Sequence, residues 1–153
     1  MDLHPDFSDL LAAFAAADVR YALLGGYAVA YYGKPRATKD LDVLVSGRGD
    51  NAERVARALA DFGAPQNVVA AARSQAVDEV VYLGAPPVRI DILRTVDGLD
   101  TEAALDRAVE ANIGGRRIPI LDIEDLIANK RASGRPQDLA DVATLEAAHF
   151  PKR

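Results

Sequence analysis

The chain contains no cysteine, and that single absence removes disulfide-stapled scaffolds, thiolate zinc sites and cysteine nucleophiles together. Histidine occurs only at His4 and His149, near opposite ends and in no recognisable pairing with a serine, which sets aside a Ser-His-Asp hydrolase. No apolar run is long enough to span a bilayer. The acidic start MDLHPDFSDLLAAFAAADVRY, interrupted by Asp18, also lacks the basic head of a signal peptide, so a soluble, cytoplasmic protein is expected. An excess of positive charge is missing too. A net charge of −5 excludes a general nucleic-acid coat, which needs a cationic surface to displace counterions, but leaves local contact with RNA open. Internal repeats, low-complexity tracts and linkers are absent. What is present is 153 residues, 50% of them hydrophobic, enough for one domain with a real core, expected to run over 1–153.

The hydrophobic periods place the elements. Apolar residues at helical spacing in DFSDLLAAFAAADV predict an amphipathic first helix. YALLGG reads as a short strand ending in a glycine pair, followed by a helical turn in YAVAYYG. LDVLV reads as a buried strand, and residues 46–63 as a helix stopped by Gly63. EVVYLG and VRIDILR, separated by APP, predict a hairpin. TEAALDRA is expected to be helical and RRIPIL a short strand. Two C-terminal helices over about 122–148 follow, the first opened by a capping-box-like Asp122 and Asp125, the second carrying Pro136 in its first turn. The pattern is that of an α/β (α+β) protein with a small mixed β-sheet flanked by helices.

The chemistry concentrates at KPRATKDLDVLV. Side chains alternate along a strand, so Asp40 and Asp42 share one face, and like charges so placed raise each other's pKa unless a cation intervenes. Hard oxygen donors with no histidine or cysteine nearby select Mg2+ or Mn2+ over zinc. Alone, this pattern is also that of a solvated loop edge. Asp91 tips the balance: it lies within VRIDILR between Ile90 and Ile92, where a charge is costly unless paired or coordinated. If that strand pairs beside LDVLV, three carboxylates converge into a site for two metals. Gly25 and Gly26 add a second clue, because glycines opening a helical turn let backbone N–H groups approach an anion; the ordinary reading is a simple turn.

Taken together, LLGGYAVAYYGKPRATKDLDVLV and the later VRIDIL resemble the nucleotidyltransferase superfamily that includes polymerase beta. The form R-x-T-x-D-L-D, here Arg36, Thr38, Asp40, Leu41 and Asp42, looks like the minimal bacterial branch related to AbiEii-type toxins. DLIANKRASGRPQDLADVATL is similar to that branch's segment in which a lysine, an arginine and two aspartates recur, here Lys130, Arg135, Asp138 and Asp141. The resemblance implies a nucleotidyltransferase-like fold and metal-dependent transfer of a nucleoside monophosphate from an NTP, ATP among them, to an acceptor hydroxyl with release of pyrophosphate. Asp40 and Asp42 would hold both metals and Asp91 the acceptor-side one. Gly25 and Gly26 would face the triphosphate, Arg36 and Thr38 would anchor the loop or touch phosphate, and Lys130 would neutralise phosphate charge. The acceptor would be tRNA or another RNA, a protein or a small molecule, with a toxin–antitoxin setting and an antitoxin-like partner among the implications. A catalytically inactive binding module of the same fold is the competing reading. Tyr27, Tyr31 and Tyr32 read as packing before base stacking.

Overall fold

Helix α1 (Pro5–Ala16) begins with proline, whose missing N–H costs nothing at a helix start, and His4 Nδ1 accepts from the Asp6 N–H at 3.1 Å. Its buried residues Phe7, Leu10, Leu11 and Phe14 recur at helical spacing and face the sheet. In the computed structural model, described here for residues 2–33, 40–85 and 88–149, the remaining elements in chain order are β1 (Tyr21–Leu24), α2 (Gly25–Tyr32), β2 (Asp40–Val45), α3 (Asn51–Phe62) and α4 (Gln66–Arg73). These are followed by β3 (Val80–Ala85), β4 (Val88–Leu93), α5 (Thr101–Arg107), β5 (Val109–Ile113), β6 (Arg116–Ile120), α6 (Ile123–Ser133) and α7 (Pro136–His149). Arg36 and Thr38, and the prolines of the β3–β4 turn, lie outside the described residues.

The six strands form one mixed sheet in the order β3-β4-β2-β1-β6-β5. β1 pairs antiparallel with β2 and parallel with β6, and β2 pairs parallel with β4. One face carries Leu23, Leu41, Val43, Ile90, Ile92, Val81 and Leu83 against α1, α3 and α4. The opposite face carries Ala22, Leu24 and Leu44 against α2, α5, α6 and α7. This second helical layer covers β1, Leu121 at the end of β6 and the far end of β2.

Two elements go beyond the sequence reading. α4 is short and has no side-chain cap; it fully buries only Ala72, with Val68, Val69 and Ala71 packed partly against the core. β5 alternates only briefly, burying Ala111 and Ile113; the Gly114-Gly115 pair, with φ of 60° and 79°, closes the β5–β6 hairpin and was the available signal for it. The helix expected over 46–63 starts later, at Asn51, because Ser46 turns back to donate from its hydroxyl to Glu102 and Asn51 ties that loop to Arg20. Its end is as expected: Gly63 adopts φ 97° and closes α3.

Candidate active site

Strand register decides the geometry. Asp42 lies opposite Asp91 and Asp40 opposite Arg89 in the parallel β2–β4 pair, so the three carboxylates occupy one face of the sheet. Asp42 is also the partner of Leu24 across β1, which brings it beside the first residue of α2. Gly25 there has φ 72°, and a Cβ on it would lie 2.2 Å from Asp42 Oδ2. Only glycine fits between the helix start and that carboxylate. Gly26 follows in the first turn of α2.

A cavity of about 500 Å³ opens at this point, lined by Gly25, Asp40, Asp42 and Asp91 on the sheet side and by Asn129, Lys130, Arg135 and Asp138 on the helical side. Its volume suits a single ligand of nucleotide size. Thr95, Val96 and Asp97, just after β4, complete one wall. The sequence singled out none of Arg89, Asp97 and Asn129; Arg89 was readable in principle, because it lies two residues before Asp91 on the same strand face.

The charges are unevenly balanced. Burial, followed by the neighbouring Asp91 and Asp40 carboxylates, raises the Asp42 carboxyl against the opposing Lys130 and Arg89 charges, to about 6 in all. Asp91 is held by Arg89, whose Nε donates to Oδ1 at 2.7 Å, while the same guanidinium stands 4.7 Å from the centre of the Tyr82 ring. Across the cavity, Lys130 Nζ lies 3.4 Å from Asp138 and 3.1 Å from Asp141, and both carboxylates are almost fully buried. Burial would raise the Asp138 carboxyl, but the hydrogen bond from Arg135 and the Lys130 and Arg135 charges outweigh it and hold it below its ordinary value. Asp138 also pairs with Arg135 at 2.8 Å, whereas Arg131 turns to Glu146. Arg116 and Arg117 lie on β6, where Arg117 pairs with Glu110 and the Arg116 Nε donates to the Ser8 hydroxyl.

Among the described residues no three acidic or histidine side chains stand close enough to enclose a metal as they are arranged. Asp91 is turned onto Arg89, and Asp40 is exposed at the strand start. The donor chemistry nonetheless fits a hard cation. The donors are carboxylate oxygens, with no histidine among the residues lining the cavity, and Asp42 is a partly buried anion short of positive charge. Magnesium ordinarily binds through one or two carboxylates and completes its shell with water and substrate phosphate, and so does not need a preformed protein cage.

Of the tyrosines of α2, Tyr27 and Tyr32 behave as packing groups, while Tyr31 is exposed and meets the Tyr32 ring edge-on. Tyr27 is buried edge-on against Phe7, and the Tyr32 hydroxyl donates to the Leu121 carbonyl at 2.8 Å. Among the described residues no helix is long and apolar enough to cross a membrane.

The sequence model of a family described as aminoglycoside-2''-adenylyltransferase matches residues 6–145. Among solved structures, lincosamide antibiotic adenylyltransferase LnuA with lincomycin bound superposes with a TM-score of 0.59 at 17% identity, covering 96% of this chain and 98% of that one. The antibiotic-resistance factor ANT(2'')-Ia gives 0.58 at 16% identity, over 94% of this chain and 80% of that one. An antigenic nucleotidyltransferase-like protein from Paracoccidioides brasiliensis gives 0.52 at 13% identity, over 94% and 74%. No curated protein matches the chain. At these identities the structural likeness shows the fold, which is nucleotidyltransferase-like.

Proposed function

This chain belongs to the aminoglycoside-2''-adenylyltransferase family, and from that premise we propose that it transfers the adenylyl group of ATP to a hydroxyl of a small molecule of antibiotic type. The observation that carries the reading is the register that sets Asp42 beside Asp91 while Gly25 closes on Asp42 from the other side. Asp40, Asp42 and Asp91 would hold magnesium or manganese, which when bound supplies charge neutralisation at the attacking and leaving oxygens. Gly25 and Gly26 present the start of α2 to the triphosphate, and Lys130 faces it across the cavity. The acceptor oxygen bonds to the α-phosphorus, the bond from that phosphorus to the bridging oxygen breaks, and pyrophosphate leaves with the electron pair. Asp91 takes the acceptor proton.

An acceptor of modest size suits the site better than RNA, because Arg116, Arg117, Arg131 and Arg135 are each engaged by a partner of this chain rather than free for a phosphate backbone. The toxin–antitoxin setting and a protein acceptor draw on no feature of this cavity. One observation favours the inactive binding module: the Arg89–Asp91 ion pair occupies a carboxylate the chemistry needs. Incubation with α-labelled NTPs, magnesium and lincomycin or an aminoglycoside separates the two. Label is expected to pass from ATP to the small molecule and to be lost in Asp42→Ala; an absence of any transfer, together with no metal-dependent heat on titrating a non-hydrolysable NTP, would leave only the module.

A further inference from the structure

The cavity has room for one ligand of nucleotide size, and Asp91 stands at its sheet edge, so a second substrate must reach Asp91 from outside. Gly25 lies on the β1 side of Asp42, and β4 lies on the opposite side. Beyond β4 the sheet ends at β3, whose register sets Tyr82 opposite Asp91 and Val80 opposite Leu93. These side chains therefore share the face that bears the carboxylates. They are also conspicuously uncovered: Tyr82 is 58% exposed, Val80 43% and Val77, in the turn before β3, 57%. Tyr82 and Val80 thus form an exposed apolar ledge along β3 beside β4, continued by Val77 in the turn before it. The ledge is fastened to the site at two points, by Arg89 bridging Asp91 and the Tyr82 ring, and by the Thr95 hydroxyl donating to the Val77 carbonyl at 3.0 Å.

We infer that Tyr82 and Val80 form the acceptor platform, and that they select a hydroxylated ring with one apolar flank, laid on the tyrosine so that its hydroxyl points at Asp91. This rests on the transferase reading above and adds where the acceptor lies and what chemistry it presents. An aromatic ring with one cationic neighbour and an open remainder offers a surface for C–H groups of a sugar or saturated ring, while Asp40 and Asp91 supply acceptors for its hydroxyls. Arg89, shared between the platform and Asp91, holds the tyrosine ring and the carboxylate in one fixed arrangement.

The chain has no tryptophan, so Tyr82→Trp places a sole indole on the ledge. Titration of that variant with lincomycin, in magnesium and a non-hydrolysable ATP analogue, is expected to shift its emission saturably, while the analogue by itself leaves the emission unchanged. In the transfer assay, Tyr82→Ala is expected to raise the acceptor KM roughly tenfold with the ATP KM held within about twofold, and Tyr82→Phe to restore it. A silent indole, a shift produced by nucleotide alone, or a shift that grows with protein concentration and so reports a second copy at β3, overturns the platform. Transfer with a silent indole removes the platform and leaves the transferase reading; an indole response without any transfer does the reverse.

Discussion

At the scale of single residues, Asp42 and Gly25 constrain each other. Gly25→Ala would force an L side chain into positive φ and drive its Cβ into the Asp42 carboxylate. It is expected to cost about 1–3 kcal/mol in urea unfolding and to abolish adenylyl transfer. Asp42 itself is held as an anion against its surroundings. The folded chain keeps its proton up to about pH 6, whereas an unfolded chain releases it near the ordinary value of 3.8. The native state therefore binds more protons across that window, and stability falls as pH rises from about 4 to 6, with the full penalty present above. Asp42→Asn, without metal, is expected to exceed the parent by about 1–2 kcal/mol near neutral pH after allowance for solvent screening, and the gap to close by about pH 4. A gap that does not change with pH would refute this account. Strand alternation made the shared face of Asp40 and Asp42 readable, and the cost of burying a charge singled out Asp91. Arg89 and Tyr82 escaped notice because an arginine with a solvent-reaching side chain and an exposed tyrosine on the edge strand carry no such cost, and their meaning comes only from the strand alongside.

Among the elements, α6 and α7 are joined by ionic contacts unusual for helices this buried. Asp122 caps α6 by accepting from the Asp125 N–H at 2.7 Å, and Pro136 opens α7, both as their sequence signals predict. What no local signal reveals is that Lys130, from one helix, sits between two acids of the other with its side chain only 11% exposed. Removing one partner of a buried ion cluster leaves the rest uncompensated, so Lys130→Met is expected to destabilise the protein by about 3 kcal/mol, measured by chemical unfolding. Triple replacement of Lys130, Asp138 and Asp141 by apolar residues is expected to recover most of that loss while leaving transfer abolished. α4 and β5 show the other limit of local reading. Their contacts with neighbouring elements, rather than their own periodicity, fix them in place, α4 against α3 and β3, and β5 against β6.

For the whole molecule, the sequence made the order of most elements and the class of fold readable, but not the sheet order. β1 enters between β2 and β6, and β6 is contributed from almost a hundred residues later in the chain, a pairing that no short window contains. The two helical layers leave the carboxylate face covered at β1 and open at β4 and β3, so ligand and fold are coupled most strongly around Asp42. Magnesium with a non-hydrolysable ATP analogue is expected to stabilise the protein by about 2.7 kcal/mol at a hundredfold excess over Kd, and the analogue in chelator by much less. Thermal unfolding measures both; equal stabilisation with and without metal would remove the cation from the site.

The strand at the sheet's end separates two kinds of change. Val80 and Tyr82 contribute little to the buried interior, while their alternates Val81 and Leu83 are packed beneath the sheet. Replacements at the first pair leave the hydrophobic framework intact, and replacements at the second do not. A lineage can therefore diversify the outward residues of this strand freely, moving from one target molecule to another while the reacting centre two strands inward stays unaltered.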